Sequence, residues 1–342
     1  MNSNLPIFIV KRAINAVITL LVIITIIYLL IHLIAPTPTA LAKIYAPPKA
    51  SKALINSIII KYNLAAPLYV QVFSYISNVF HGNLGYDPVA GAPEITLIGE
   101  YLPITLELVI PATILAVVLG LLSGVFAASR KNKPSDYAVK GIYLLTWASP
   151  PFLVATFLQL IVGYDLGLLP AIGMVNPTMV PPPDVAAFPL LNALIAGDFA
   201  YFVSLIHHMI LPIIALALIS FGIITRITRS SMINAIDSDY YKLSLMKGMT
   251  RNRALYGVAL RNASIPLVTL IALLFGFSVA GAVIIEDIFQ YHGMGFFIVQ
   301  AIYNTDYIAI LDTTLIIAIS IIIANLIADI LYGVMDPRVR VE

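Results

Sequence analysis

Residues Phe199 to Thr225 read FAYFVSLIHHMILPIIALALISFGIIT, 27 positions without one formally charged side chain. A segment surrounded by hydrocarbon must satisfy every backbone N–H and C=O within itself, and about 20 apolar residues in a helix match the thickness to be crossed. The run is continuously apolar rather than alternating every second residue, which disfavours a strand of a membrane barrel. Working outward, Ala13–Ala35, Leu108–Ser129, Gly141–Tyr164 and Asn262–Ile285 also run without formal charge, and Thr313–Met335 is interrupted only by Asp329. Six such stretches predict an all-α polytopic membrane protein.

The whole chain agrees with that reading. Of its 342 residues 60% are hydrophobic and 11% charged, against roughly 45–50% and 25% in soluble domains. A water-soluble enzyme and a nucleic-acid binder are excluded. The net charge is only +2, so information lies in how charge is distributed. Zero Cys removes disulfides, thiolate metal sites and cysteine nucleophiles together. Lys11-Arg12 before the first stretch and Ala40-Leu41-Ala42 after it resemble a signal peptide, but 23 uncharged residues exceed the roughly 7–15 of a signal core, so a retained helix is expected.

Lys and Arg divide unevenly between alternate connections. Lys11, Arg12, Arg130, Lys131, Lys133, Lys140, Arg226, Arg229, Lys242, Lys247, Arg251, Arg253, Arg261, Arg338 and Arg340 share one side, 15 of the 19 bases. The other side holds Lys43, Lys49, Lys52 and Lys61 in the long first loop, while its later loops carry Asp165, Asp184, Asp198, Glu286, Asp287, Asp306 and Asp312. The positive-inside rule then predicts six spans with both termini cytoplasmic, in the cell membrane. The chain divides into a cytoplasmic N-terminus with the first span (1–35), an external cap (36–103), a five-helix core (104–335) and a cytoplasmic tail (336–342). The cap opens on Pro36, Pro38, Pro47 and Pro48, contains Gly82-Asn83-Leu84-Gly85, and is long enough to be a functional loop. Residues 166–198, with Pro181-Pro182-Pro183, predict an irregular outer rim.

One segment between spans four and five, within 230–264, is neither a turn nor a span. Ser238 and Asp239 suit a helix start, Tyr241 and Leu245 fall on one face, and Lys247-Gly248 suits a helix end: a cation at the negative pole, then a residue free to take positive φ. About eight residues of helix are marginal alone in water, so this one needs a surface to dock on. Thr250 can cap a second helix through Leu260, with Arg251, Arg253 and Arg261 near lipid headgroups. These residues are compatible with an amphipathic connector lying on the membrane surface, and the alternative is a docking helix for a cytoplasmic partner.

The run Asp239-Tyr240-Tyr241-Lys242-Leu243-Ser244-Leu245-Met246-Lys247-Gly248-Met249, continuing to Leu260-Arg261-Asn262-Ala263-Ser264-Ile265-Pro266, resembles the coupling loop of permease subunits of ATP-binding-cassette importers, in particular the peptide class. Where the general importer motif begins Glu-Ala-Ala, this chain has Lys242, Leu243 and Ser244. Leu102-Pro103-Ile104-Thr105-Leu106-Glu107-Leu108, Ser149-Pro150-Pro151-Phe152, Leu168-Leu169-Pro170-Ala171-Ile172-Gly173, His208-Met209-Ile210-Leu211-Pro212, Arg226-Ile227-Thr228-Arg229-Ser230-Ser231-Met232 and Asp336-Pro337-Arg338-Val339-Arg340 resemble further family motifs in the expected order. Thr37, Asn83 and His292 depart from the family pattern, all on the outer side. The resemblance implies half of a translocation pore paired with a second related permease, two cytoplasmic ATP-binding subunits that hold ATP and Mg, and an external substrate-binding protein that delivers an oligopeptide. Oligosaccharides or metal chelates are the alternative cargoes. No cofactor and no catalytic residue is expected in this chain.

The sequence has no G-x-x-x-x-G-K-[ST] and no H-E-x-x-H, so neither a phosphate-cradling loop nor a zincin site is expected. Gly276-Phe277-Ser278 with His208 or His292 superficially resembles an intramembrane protease, although small residues in spans serve helix packing. His207-His208 suits an interfacial hydrogen-bonded pair better than a metal site. An ion-coupled carrier would show itself as intramembrane charge, and Asp329 is the strong case; an interhelical bond, with an Arg of the 230–264 loop as one partner, is the structural reading. Glu107, near the outer end of the second span, is expected to snorkel to water or to pack on the partner permease.

Overall fold

The computed structural model describes residues 5–47 and 49–335; Pro48 and the tail motif Asp336-Pro337-Arg338-Val339-Arg340 lie outside them. Among the described residues the regular secondary structure is helical, apart from one two-residue β ladder, Tyr86–Asp87 against Ala92–Pro93. Five helices among the described residues are long and apolar enough to cross a membrane: α1 (Leu5–Ile34), α5 (Glu94–Ser129), α9 (Phe199–Asp237), α13 (Ile265–Phe289) and α15 (Tyr307–Met335). The stretch expected as an unbroken third span is instead two arms, α6 (Pro134–Ala148) and α7 (Pro151–Leu158) with its π-helical continuation to Asp165, bent by 105°. The cause is local. Each residue before a proline is pushed out of the helical region, and both Ser149 (ψ 132°) and Pro150 (ψ 136°) are extended.

Helix α5 also begins earlier than the apolar run implied, at Glu94, so the expected external segment 36–103 contributes the first turns of a core helix. The remainder of that segment forms α2 (Pro38–Ile44), α3 (Lys52–Lys61) and α4 (Leu68–Phe80). Thr37 caps α2 by accepting from Ala40 N, and Ser51 caps α3 by accepting from Leu54 N. Residues 166–188 are irregular, as the prolines imply, before α8 (Pro189–Ile195).

Helix α9 is central and packs on α5, α6, α7 and α13, while α15 bridges α13 to the peripheral α1. Gly120 and Gly124 let α5 and α9 approach closely. A Cβ on Gly124 would stand 2.5 Å from Thr228 Cβ and 2.9 Å from Thr225 O, and a Cβ on Gly120 would stand 2.5 Å from Ile224 Cγ2. Between the two glycines, the Ser123 and Thr225 hydroxyls hydrogen-bond at 2.9 Å. This small-x-x-x-small stripe is the packing device of membrane helices, where apolar burial alone gives no preference for helix over lipid.

Several acids assigned by sequence to the outer loops are not solvated. Glu286 lies in the last turn of α13 and is fully buried. Its Oε1 accepts from Thr105 Oγ1 at 2.6 Å, and its Oε2 accepts from Gly295 N at 2.7 Å and Phe296 N at 3.2 Å. That carboxylate fixes the turn before α14 (Met294–Tyr303) against α5. Asp306 caps α15 through Ala309 N and is buried, as are Asp87 and Asp312. Burial, followed by a hydrogen bond shared with Asp87, raises the Asp306 carboxyl from 3.8 to about 6. Tyr75 Oη donates to Asp312 Oδ1 at 3.1 Å, and burial pushes its phenol well above the usual range.

Candidate functional site: the short helix between two spans

The segment after α9 folds into α10 (Asp239–Met246), eight residues as its sequence implied. Its start and its end have different chemistry. Ser238 is at once the last cap of α9 and the first of α10; it is extended, but its hydroxyl donates back to Ala235 O instead of accepting from the new helix. The end is closed by two backbone hydrogen bonds. Gly248 has φ +85°, its N–H donates to Leu245 O at 2.9 Å, and Met249 N donates to Ser244 O at 3.2 Å, the paired bonds of a Schellman ending.

The helix docks on its own chain by one narrow strip. Tyr241 and Ser244 are buried, whereas Leu245, expected to share the buried face, is 39% exposed. The strip therefore runs i,i+3 rather than i,i+4. Tyr241 enters a cluster formed by Val125 and Ala128 of α5, Met232 and Ala235 of α9, and Ala254, Leu255 and Ala259 of the next helical segment. That segment begins at Thr250 with no side-chain cap, passes from α11 (Arg251–Arg253) through a π-helical stretch, Ala254–Ala259, to α12 (Leu260–Ala263), and so extends past the expected Leu260 almost to α13. Arg251 donates to Ser129 O at the end of α5, and Lys131 pairs with Asp237 at 3.5 Å.

Away from this strip α10 presents Tyr240, Leu243 and Met246 at three-residue spacing, the last 84% exposed, with Lys242, Lys247 and Met249 beside them. An isolated exposed apolar side chain is ordinary, but a contiguous set on one helix marks an interaction surface. Lys242 makes only a 3.5 Å surface pair with Asp239.

Between α6 and α9 lies a charge cluster that the sequence did not single out. Asp136, fully buried in the first turn of α6, receives Arg229 Nε at 2.6 Å and Arg229 Nη2 at 2.8 Å, Asn132 N at 2.9 Å, and Lys140 Nζ at 3.2 Å. This bidentate geometry is the strong form of an Arg–carboxylate pair. It ties α6 to α9 at Arg229, nearly three turns before α10 begins at Asp239. The i,i+4 spacing of Asp136 and Lys140 was visible, but nothing local connects Asp136 to Arg229, 93 positions away.

The two remaining sequence candidates lie elsewhere. Asp329 does form an interhelical salt bridge, but with Arg12 of α1 at 3.2 Å rather than with an Arg of the loop. Glu107 neither reaches water through Oε2, which is buried, nor projects from the chain: its Oε1 accepts from Leu190 N at 2.9 Å, holding α8 to α5. His208 Nδ1 lies 2.8 Å from Ser204 O, and the His292 ring packs on Phe296 with centroids 4.6 Å apart; burial lowers the His292 pKa. Neither interaction aligns a base with Ser278.

Comparison with known proteins assigns the chain. Residues 116–341 match the family described as binding-protein-dependent transport system inner membrane component, and residues 5–97 match the N-terminal region of such membrane components. The chain is 32% identical over 312 residues to a probable D,D-dipeptide transport system permease protein of Escherichia coli, covering 91% of each. It is 35% identical over 289 residues to a dipeptide transport system permease protein of Escherichia coli (83% of this chain, 84% of the relative), and 34% identical over 294 residues to an oligopeptide transport system permease protein of Bacillus subtilis (86% and 87%). The chain belongs to this family and is a multi-pass membrane protein.

Proposed function

We propose that this member of the binding-protein-dependent transport family is the permease subunit of a peptide importer, and that α10 is the helix through which cytoplasmic ATP-binding subunits act on it. Relatives named for dipeptide and oligopeptide transport support peptides over oligosaccharides or metal chelates as cargo. The basic end is the cytoplasmic side, and α6 with α7 completes a count of six spans. A second related permease supplies the other half of the pore, an external binding protein delivers the peptide, and two ATP-binding subunits hold ATP and Mg.

The observation that carries the α10 assignment is its division into two faces. Tyr241 is sunk among residues of α5, α9 and the 254–259 segment, while Tyr240, Leu243 and Met246 face outward. A push on the outer face is therefore delivered through Tyr241 to the ends of two spans and to the approach to a third. Coupling of this kind biases two packings of a helix bundle and requires no chemistry in the permease. The outer face also explains how an eight-residue helix persists: it is clamped by Tyr241 on one side and covered by a partner on the other.

The assembled complex and the lone chain separate this reading from an ion-coupled carrier. In liposomes, the complex should hydrolyse ATP and accumulate peptide, while the purified chain should do neither. Uptake by the lone chain driven by a proton gradient would overturn the importer assignment.

A further inference from the structure

The outer cap contains 25 consecutive residues, Tyr62 to Tyr86, with no Lys, Arg, Asp or Glu. Helix α4 occupies the middle of this run. At 13 residues it is too short to cross a bilayer, yet it is sharply two-sided. Its inner face packs Val72, Tyr75, Ile76 and Val79 on the core around α1 and is pinned by one polar side chain: Gln71 Nε2 donates to Leu64 O and Ala66 O, and Gln71 Oε1 accepts from Tyr28 Oη of α1 at 2.9 Å. Tyr75 lies against the Tyr28 ring with centroids 5.0 Å apart. Its outer face carries Tyr69 (76% exposed), Phe73 (75%) and Phe80 (57%) along one stripe.

The level at which α4 meets α1 decides what covers that stripe. The contact on α1 involves Thr25, Tyr28 and Leu29. These residues precede the end of α1 at Ile34 by about 8 to 14 Å at 1.5 Å per residue. The uncharged part of α1, Ala13 to Ala35, is about as long as the hydrocarbon core is thick. Thr25–Leu29 therefore lie below the outer boundary of the hydrocarbon, and the start of α4 is held at that depth. On the same helix Ile26, Leu30 and Leu33 are exposed, so the bare stripe of α4 continues an apolar surface already belonging to a spanning helix. An open furrow of about 620 Å³ between the two helices is lined by Leu29, Leu68, Tyr69, Val72, Phe73 and Ile76. Tyr and Phe at this level, without charge, are what the outer interface of a bilayer accommodates.

We propose that α4 is an interfacial helix embedded in the outer leaflet, with lipid covering Tyr69, Phe73 and Phe80 and an acyl chain lying in the furrow between α4 and α1. The cap is thereby anchored to the bilayer by its α4 side, and only its remaining surface faces the aqueous phase. This goes beyond the importer reading and rests only on α1 crossing the membrane with its N-terminus on the cytoplasmic side.

The absence of Cys allows a direct test. A fluorophore is attached at F73C in the assembled complex, with Y69C as a second site should the first fail to assemble. V89C, 48% exposed at the tip of the β ladder, serves as the aqueous control. The complexes are reconstituted into vesicles of phosphatidylethanolamine and phosphatidylglycerol with phosphatidylcholine spin-labelled near the top of the acyl chain. Residue 73 should be quenched strongly by the labelled lipid and weakly by aqueous iodide, and residue 89 the reverse. Iodide quenching at residue 73 equal to that at 89 would place α4 in water and overturn the proposal. Shielding of residue 73 from both quenchers would mean that protein, such as the second permease, covers the stripe, and would overturn it equally.

Discussion

Changing Gly248 to Val perturbs the end of α10 without touching any span. Gly248 has φ +85°, and no atom lies within 4 Å of the position a Cβ would take. No collision contributes, so the whole penalty is that of placing an L residue in left-handed backbone, roughly 1–2 kcal/mol, with a β-branched side chain at the upper end. That corresponds to about a 5–30-fold shift against the native ending. The loss falls on the two bonds that Gly248 N and Met249 N make to Leu245 O and Ser244 O, and hence on the last turn of an eight-residue helix with little stability of its own. Membrane abundance and the melting temperature of the purified chain should stay near those of the parent. Co-purification of the ATP-binding subunits, or peptide-stimulated ATP hydrolysis by the complex, should fall several-fold. Gly248→Asn should lie between Gly and Val, because Asn tolerates the left-handed region better than other L residues with a Cβ. If Gly248→Val assembles and transports like the parent, the loop is a membrane-surface connector and the coupling argument fails.

Three further outcomes follow from the packing. Asp136→Asn leaves Arg229 without its bidentate partner beside a fully buried site, which should cost about 3–5 kcal/mol and appear as a large drop in melting temperature in detergent; Arg229→Lys should recover the charge but not the fork geometry. Gly124→Val drives a side chain into Thr228 and the Thr225 carbonyl, and should cost at least the roughly 1–3 kcal/mol of an overpacked core, whereas the same change at Gly99, where a Cβ meets nothing within 4 Å, should be tolerated in melting assays. Asp306 has its carboxyl raised from 3.8 to about 6, so its protonated form is the one the fold favours. Its contribution to stability is complete below the unfolded value and is lost as pH rises through that window. Melting temperatures recorded across the window should fall toward its upper end for the parent, and Asp306→Asn should flatten the response.

The stretches that set the fold were legible because hydrocarbon imposes a length and an absence of charge on each helix, and Phe199–Thr225 meets both requirements without reference to any other residue. Ser149-Pro150-Pro151 could be seen as a proline site, but the 105° bend depends on how α6 and α7 separately pack on α9. The C-terminal end of α10 was legible for a similar reason: a positive-φ glycine after a basic residue is a backbone requirement written locally. Its buried face was not, because the choice of Ser244 over Leu245 as the second contact depends on the cluster from α5, α9 and the 254–259 segment. Charges were the least legible feature. Asp136, Glu286 and Asp329 acquire their roles from Arg229, Thr105 and Arg12, which lie far away in sequence, and an Asp counted along the chain looks the same whether it meets water or a guanidinium.

If α10 is the surface that an ATP-binding subunit grips, Met246, 84% exposed on its outer face, lies within reach of that subunit. A photoreactive cross-linker attached at M246C, in a chain that is otherwise free of Cys, can be activated in native membranes holding the assembled complex. The predicted product joins this chain to an ATP-binding subunit, and its yield should change when nucleotide is added. Adducts to lipid alone, formed while the ATP-binding subunits remain bound to the complex, would show that α10 lies on the membrane surface and that the partners attach elsewhere.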